Sequence, residues 1–417
     1  MTQNSTLSVD QSEAPPSNNR PVGLTRAATA RYLVLYLAPL VIAAIVGAGL
    51  YGFLVRAGET VGPVSAAHRQ AETGELYGPA LVYRPFAFKL ERYRQIKPDV
   101  LLVGSSRVMA FAGEAFATSM LNSGGGANTL DQAIKFTETA LAIHRPKTIL
   151  LGLDFWWFNP NRDDEVDTTT HDSDEIDLSL SQLLMPVDWI ASGQVSIREV
   201  VATLTPFGDR RPGIGVLAKF ARQGFDRYGR YDYGALFDGG LDGEDEMFAR
   251  TLRRLRDAGP SSKFNVRPSP APAALSDLRG FLQRMRASGV EIMLFLPPVA
   301  EPVRAQLSDD PEDRLLPQWR AALREFETPI LDFEDARLIG SPPCEFIDGF
   351  HGGEVTYLRV LDAIAGAGGS ILAESIDREA VAALIAGNAG HARIRELRPA
   401  GTPTEVDFLK LGCDKRG

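Results

Sequence analysis

Residues 32–55 (YLVLYLAPLVIAAIVGAGLYGFLV) carry no charge, and no other stretch limits the possible folds so strongly. As a helix rising about 1.5 Å per residue, this run is about 36 Å long, enough to cross about 30 Å of hydrocarbon with some tilt. Pro39 is compatible with that reading, because membrane helices tolerate a kink. A buried core helix fits less well, since charges flank the run at once on both sides. A cleaved signal peptide also fits less well, because the leader is long and no small-x-small site follows. The run therefore reads as an uncleaved anchor. Arg20, Arg26 and Arg31 precede it, and Arg56 and Arg69 follow it. The positive-inside bias then predicts a cytoplasmic N-terminus and places residues from about 56 onward outside the inner membrane. In that compartment Cys344 and Cys413, the only two cysteines, are able to oxidise and tie the C-terminal tail to the chain before residue 348.

The remaining chain alternates short apolar runs with helical patterns. Residues 1–31 are a polar tail expected to be disordered, and residues 56–85 read as a linker. Five strands are predicted at residues 99–104 (DVLLVG), 119–122, 148–153 (TILLGL), 290–296 (VEIMLFL) and 330–333. Helical spacing is expected at residues 107–117, 128–143, 274–288, 315–326, 353–365 and 375–386. This alternation predicts an α/β domain over residues 86–400, a three-layer α/β/α arrangement around a five-stranded parallel sheet, with a tail at 401–417. Residues 160–270 break the rhythm and read as an insertion or cap over the active-site edge. Their acidic stretch, 163–177, lacks EF-hand spacing and reads as a solvated loop. Their aromatic stretch, 225–234, offers Tyr228, Tyr231 and Tyr233 for packing or for stacking on a sugar.

Two short phrases carry chemistry. Gly104-Ser105-Ser106-Arg107 ends the first predicted strand, where a serine reaches the carboxyl edge of the sheet beside a helix N-terminus. Asp348-Gly349-Phe350-His351 follows the fifth strand, and an Asp and His three residues apart are able to meet across one tight turn. The Asp then sets the imidazole tautomer while the other ring nitrogen faces a serine. Each phrase alone is weak, since a serine at such a turn often merely caps a helix. Together they stand where a Ser-His-Asp triad requires them. A glycine run, Asn122 to Asn128, lies after the second strand, where backbone N–H groups approach an anion closely.

The order of GSS, the glycine run after Asn122, Gly152-Leu153-Asp154 and the terminal Asp-x-x-His resembles the SGNH/GDSL hydrolase superfamily over residues 86–158 and 274–365. The resemblance implies a flavodoxin-like sheet and a nucleophile at Ser106, with Asp348 and His351 completing the triad. It also implies an oxyanion hole built from the N–H of Ser106, the N–H of Gly126 (or Gly124) and the residue at position 154. That position holds Asp154 where the family has Asn, and a carboxylate accepts but does not donate. Asp154 therefore needs a proton, a substitute donor among Asn122, Asn128 and Asn159, or a partner in Arg107. Arg107 and Asn122 are the candidate substrate-binding residues.

An anchored SGNH-like domain with this GSS variant is similar to the D-alanyl-transfer proteins of teichoic acid synthesis and to alginate O-acetyltransferases. By that resemblance the substrate is an acylated glycan or small ester, and the partner is a multi-pass acyltransferase or polysaccharide export machinery. No cofactor is expected. Cysteine and histidine spacing gives no metal site, and the net charge of −9 disfavours nucleic acid. The competing reading is a catalytically impaired scaffold that binds polysaccharide or organises an export complex.

Overall fold

The computed structural model describes residues 26–161, 174–205, 211–239, 245–308 and 310–415. The expected tail over residues 1–25 and most of the acidic stretch 163–177 lie outside the described residues. The chain divides into two compact units, Met1–Gly49 and Leu50–Gly417. In the first, the described residues belong to one helix, Arg26–Ala57, which continues into the second. Within it Thr29–Ala57 is long and apolar enough to cross a membrane.

The second unit is α/β. Five strands form a parallel sheet: β1 (Val100–Val103), β2 (Met120–Asn122), β3 (Thr148–Gly152), β6 (Glu291–Leu296) and β7 (Ile330–Asp332). Their order is β2-β1-β3-β6-β7. A separate antiparallel hairpin joins β4 (Gly224–Phe225) to β5 (Tyr231–Asp232). All five expected sheet strands are present; β1, β2 and β3 are buried throughout, whereas β7 is half-buried and ends on the exposed Asp332.

Strand alternation sorts the core into two. Leu101, Val103, Ile149, Leu151 and Leu294 pack in one cluster with the helices Leu130–Ile143, Pro272–Ser288 and Leu315–Leu323. Val100, Leu102, Leu150 and Phe295 pack in another with Glu354–Ala367. Consecutive side chains along a strand point to opposite faces, which sorts alternate residues into the two clusters. The helix stops follow local chemistry. Thr129 Oγ1 accepts from Gln132 N at 3.1 Å as a cap, and Gly289 ends its helix at φ 75°.

The structure corrects three expectations. Residues 107–117 form no α-helix; they hold two 3-10 turns, Ser106–Val108 and Gly113–Ala115. The carbonyls of Val108, Met109 and Phe111 accept from Asn122 Nδ2 at 3.0, 3.1 and 3.3 Å, so a side chain supplies hydrogen bonds that an α-helix would have closed itself. Residues 56–85 are not a simple linker. They contain the helix Pro63–Thr73, and the buried Glu59 accepts backbone N–H groups from Ala80, Leu81 and Val216. Burial pushes the Glu59 carboxyl above its usual range, against the opposing pull of those donors.

The C-terminal segment also packs: Phe408 and Leu409 are buried, and Cys413 is bonded to Cys344 across 69 residues of chain. Closing a loop of that length removes much of the unfolded chain's freedom. Replacing both cysteines with serine should therefore lower unfolding stability by about 2–4 kcal/mol. Urea titration of the detergent-solubilised protein checks this, with reductant lowering the wild type and leaving the double variant unchanged.

Candidate active site

All sheet strands are parallel, so their carboxyl ends share one edge, and the first and last chemical phrases meet there. β1 ends at Val103, and Gly104 lets the chain turn tightly. A Cβ on Gly104 would lie 2.8 Å from Val108 Cγ2, and one on Gly152 would lie 2.7 Å from Val108 Cγ1. Val108 thus seats the turn between two glycines. Ser105 Oγ accepts from Arg107 N at 3.2 Å and starts the 3-10 turn that presents Ser106. Ser106 is partly exposed, unlike its buried neighbours.

Ser106 Oγ lies 2.9 Å from His351 Nε2. His351 Nδ1 lies 2.8 Å from both carboxylate oxygens of Asp348. An ionised carboxylate only accepts, so Nδ1 carries the proton and Nε2 offers its lone pair to the serine hydroxyl. Asp348 Oδ1 also accepts the backbone N–H groups of Phe350 and His351, each at 2.8 Å. Although burial raises the Asp348 pKa, the His351 charge and these hydrogen bonds outweigh it and hold the carboxyl down to about 2. The structure brings together the Ser106, Asp348 and His351 side chains that the sequence placed 245 residues apart at the extremes.

Three other expected site residues sit differently. Arg107 is buried, and its guanidinium donates to Asp154 Oδ1 at 3.0 Å, Phe350 O at 3.2 Å, Pro297 O at 2.6 Å and Pro298 O at 3.1 Å. It faces the protein and is closed to a substrate. Asp154 is its buried partner, so position 154 supplies no oxyanion donor. Asn122 is fully buried; its Nδ2 serves the loop carbonyls and its Oδ1 accepts from Gly124 N at 2.7 Å, so it too is closed to a substrate.

The glycine run is likewise self-satisfied. Gly126 N donates to Ser123 O at 3.0 Å, and Gly125 N donates to Gly104 O and Ser105 O at 3.1 and 3.0 Å. The Gly126 N–H is therefore spent in this conformation, and the Gly124 N–H is spent on Asn122. Of the expected oxyanion donors, the Ser106 N–H alone has no acceptor among the described residues.

No protein-family model, curated protein or solved structure matches this chain. The site rests on its geometry alone.

Sequence reasoning missed Asp245. This buried carboxylate accepts from Arg250 N, Thr251 N and Thr251 Oγ1, and from Gly349 N at 3.1 Å. It joins the start of the helix Ala249–Arg256 to the turn between Asp348 and His351. Nothing local marks it, since it sits in a run of acidic residues like any solvated loop. Phe350 wedges the same turn, stacking on Phe264 at 5.1 Å and meeting Trp156 edge-on at 5.5 Å. A cavity of about 220 Å³ opens beside Asp348, lined in part by Tyr231, Tyr233, Arg250, Arg254 and Phe408. Tyr231 and Tyr233 thus pack and also line a cleft, while Tyr228 packs against Gly113. Among the described residues, no group of three or more His, Cys, Asp or Glu is placed to hold a metal ion.

Arg107→Met should cost about 3–5 kcal/mol of stability, because it leaves Asp154 buried without its cation. Adding Asp154→Leu should recover part of that loss; chemical denaturation of both variants checks the coupling. Asp348 is held below its free value of about 3.9, so it stabilises the fold fully above about pH 4 and loses that contribution as pH falls through about 2. The stability gap between wild type and Asp348→Asn should accordingly shrink as pH falls from about 4 through about 2.

Proposed function

We propose that this chain is a membrane-anchored, extracytoplasmic serine esterase or O-acyltransferase of the SGNH/GDSL type, acting on an acylated glycan. The observation that carries the reading is the unbroken relay from Ser106 Oγ through both ring nitrogens of His351 to Asp348. The sheet order β2-β1-β3-β6-β7 supports a flavodoxin-like, three-layer domain, with the relay at the carboxyl edge where ligands of such sheets bind. The apolar helix and the arginines before it support an inner-membrane anchor with a cytoplasmic N-terminus. The Cys344–Cys413 disulfide supports an oxidising compartment for the rest of the chain. A glycan acceptor, and a multi-pass acyltransferase or export complex as partner, follow from the family resemblance.

In this mechanism His351 Nε2 takes the Ser106 proton as Oγ bonds to the carbonyl carbon of the acyl donor. Charge on the carbonyl oxygen is met by the Ser106 N–H. The imidazolium, stabilised by Asp348, returns the proton to the departing alkoxide, leaving an acyl-Ser106 ester. Water or a sugar hydroxyl then repeats the sequence in reverse, giving up its proton to His351 and regenerating the serine. Exclusion of water decides between hydrolysis and transfer.

A second reading has its own support. The glycine N–H groups are satisfied internally and Asp154 is locked to Arg107, which leaves a single oxyanion donor and favours an impaired, glycan-binding scaffold. A fluorophosphonate probe separates the two on the full-length protein in membranes. The enzyme should be labelled at Ser106, and Ser106→Ala should abolish labelling and cut acyl turnover by about 10³-fold or more. An unlabelled wild type that still binds glycan would remove the enzymatic reading and leave the scaffold.

A further inference from the structure

The helices Leu180–Ala191 and Ile197–Leu204 are apolar on two sides. Their inner sides, through Trp189, Leu183, Val200 and Leu204, pack in one cluster with Phe53, Leu54 and Ala57, the last turns of the N-terminal helix. Their outer sides expose Leu180, Leu184, Val187, Ile197 and Val201, with fractional exposures from 48% to 73%. In the first helix the exposed positions 180, 184 and 187 fall at helical spacing, on one stripe. Over residues 180–204 the only charges are Asp188, Arg198 and Glu199, and Glu199 is already engaged by Ser196 and Arg211. A surface helix of a water-soluble domain places polar residues opposite its buried face, whereas a helix apolar all round needs an apolar surrounding.

The chain itself indicates what that surrounding is. Phe53 and Leu54 are the carboxyl end of the uncharged run, and Ala57 follows Arg56 at its boundary. Glu59 then fastens the chain to the backbone at residues 80, 81 and 216, and Gly215 N donates to Ala57 O at 2.9 Å. If residues 32–55 span a bilayer, residues packed on Phe53 and Leu54 lie near the level at which that run leaves the hydrocarbon. We propose that residues 180–204 form a second membrane contact, a helical hairpin whose outer leucines, valines and isoleucine lie in the lipid interface. This rests on the reading of residues 32–55 as a membrane span. Amphipathic helices of this kind bury their apolar side on the order of 5–10 Å into the headgroup and acyl boundary.

The test uses single cysteines in the full-length protein, since both native cysteines are in a disulfide and do not react with a maleimide fluorophore. Leu184→Cys, Val187→Cys and Val201→Cys are labelled in vesicles of phosphatidylcholine and phosphatidylglycerol and challenged with nitroxide lipids or aqueous iodide. Ile42→Cys, within the span, and Leu338→Cys, 80% exposed and remote in sequence, are the references. Labels on the hairpin should lose about half their emission or more to a shallow nitroxide and little to iodide. Iodide quenching equal to that at Leu338→Cys would show the surface in water and overturn the proposal. Shielding from both quenchers would show that a protein surface, a second copy or a partner, covers it, and would overturn the lipid assignment. Absence of deep-nitroxide quenching at Ile42→Cys would instead show that the span reading has failed, and the hairpin proposal with it.

Discussion

One buried guanidinium holds the candidate site together. Arg107 follows the presented serine directly, and its side chain runs inward to meet the carboxyl ends of two other strands and the Asp-His turn. It reaches Asp154 after β3, Pro297 and Pro298 after β6, and the carbonyl of Phe350 within the turn. Tyr357 adds a hydrogen bond to the Arg107 carbonyl from the helix that follows His351. Four carbonyl or carboxylate acceptors around one planar cation suit arginine, whose donors radiate in fixed directions; lysine has no such geometry. The distance between Ser106 and His351 is therefore set by a network beneath them, and the relay inherits its precision from an ion pair closed to solvent.

That arrangement bears on chemistry as well as on packing. Asp154, which follows β3, has its charge neutralised by Arg107 inside the fold. The glycine run, which could have offered several N–H groups, folds back on Asn122, Ser123 and the Gly104-Ser105 carbonyls. The Ser106–His351–Asp348 relay thus stands beside glycine N–H groups that are already paired within the fold. The cavity on the Asp348 side is rimmed by Arg250 and Arg254, and Asp245 ties its wall to the turn between Asp348 and His351.

Attachment to the end of the N-terminal helix follows the same logic of buried polar groups at junctions. Glu59 accepts three backbone N–H groups where the helix ends, as Asp245 does where the basic helix begins. Each such carboxylate replaces water for several orphaned donors at once. The disulfide adds a covalent counterpart just before Asp348, fastening the packed C-terminal segment to the chain that leads into the Asp348–His351 turn.

The apolar runs were sufficient to place all five sheet strands and the long N-terminal helix, because short apolar strands and a long uncharged run leave a period and a length that local sequence records directly. The helix expected at residues 107–117 was not legible, since its fate turned on a distant amide, Asn122, that competes for the same carbonyls. The linker at 56–85 and the tail at 401–417 proved to be packed because Glu59 and Cys413 find partners far away in the chain. Sequence also offered Arg107, Asn122, Gly126 and Asp154 as site residues by position, and could not tell which way each would face. Direction is decided by which buried donors and acceptors meet after folding. Periodicity and length belong to neighbouring residues and are written in the sequence; the pairing of buried charges and amides belongs to residues brought together from remote segments, and only the tertiary structure decides it.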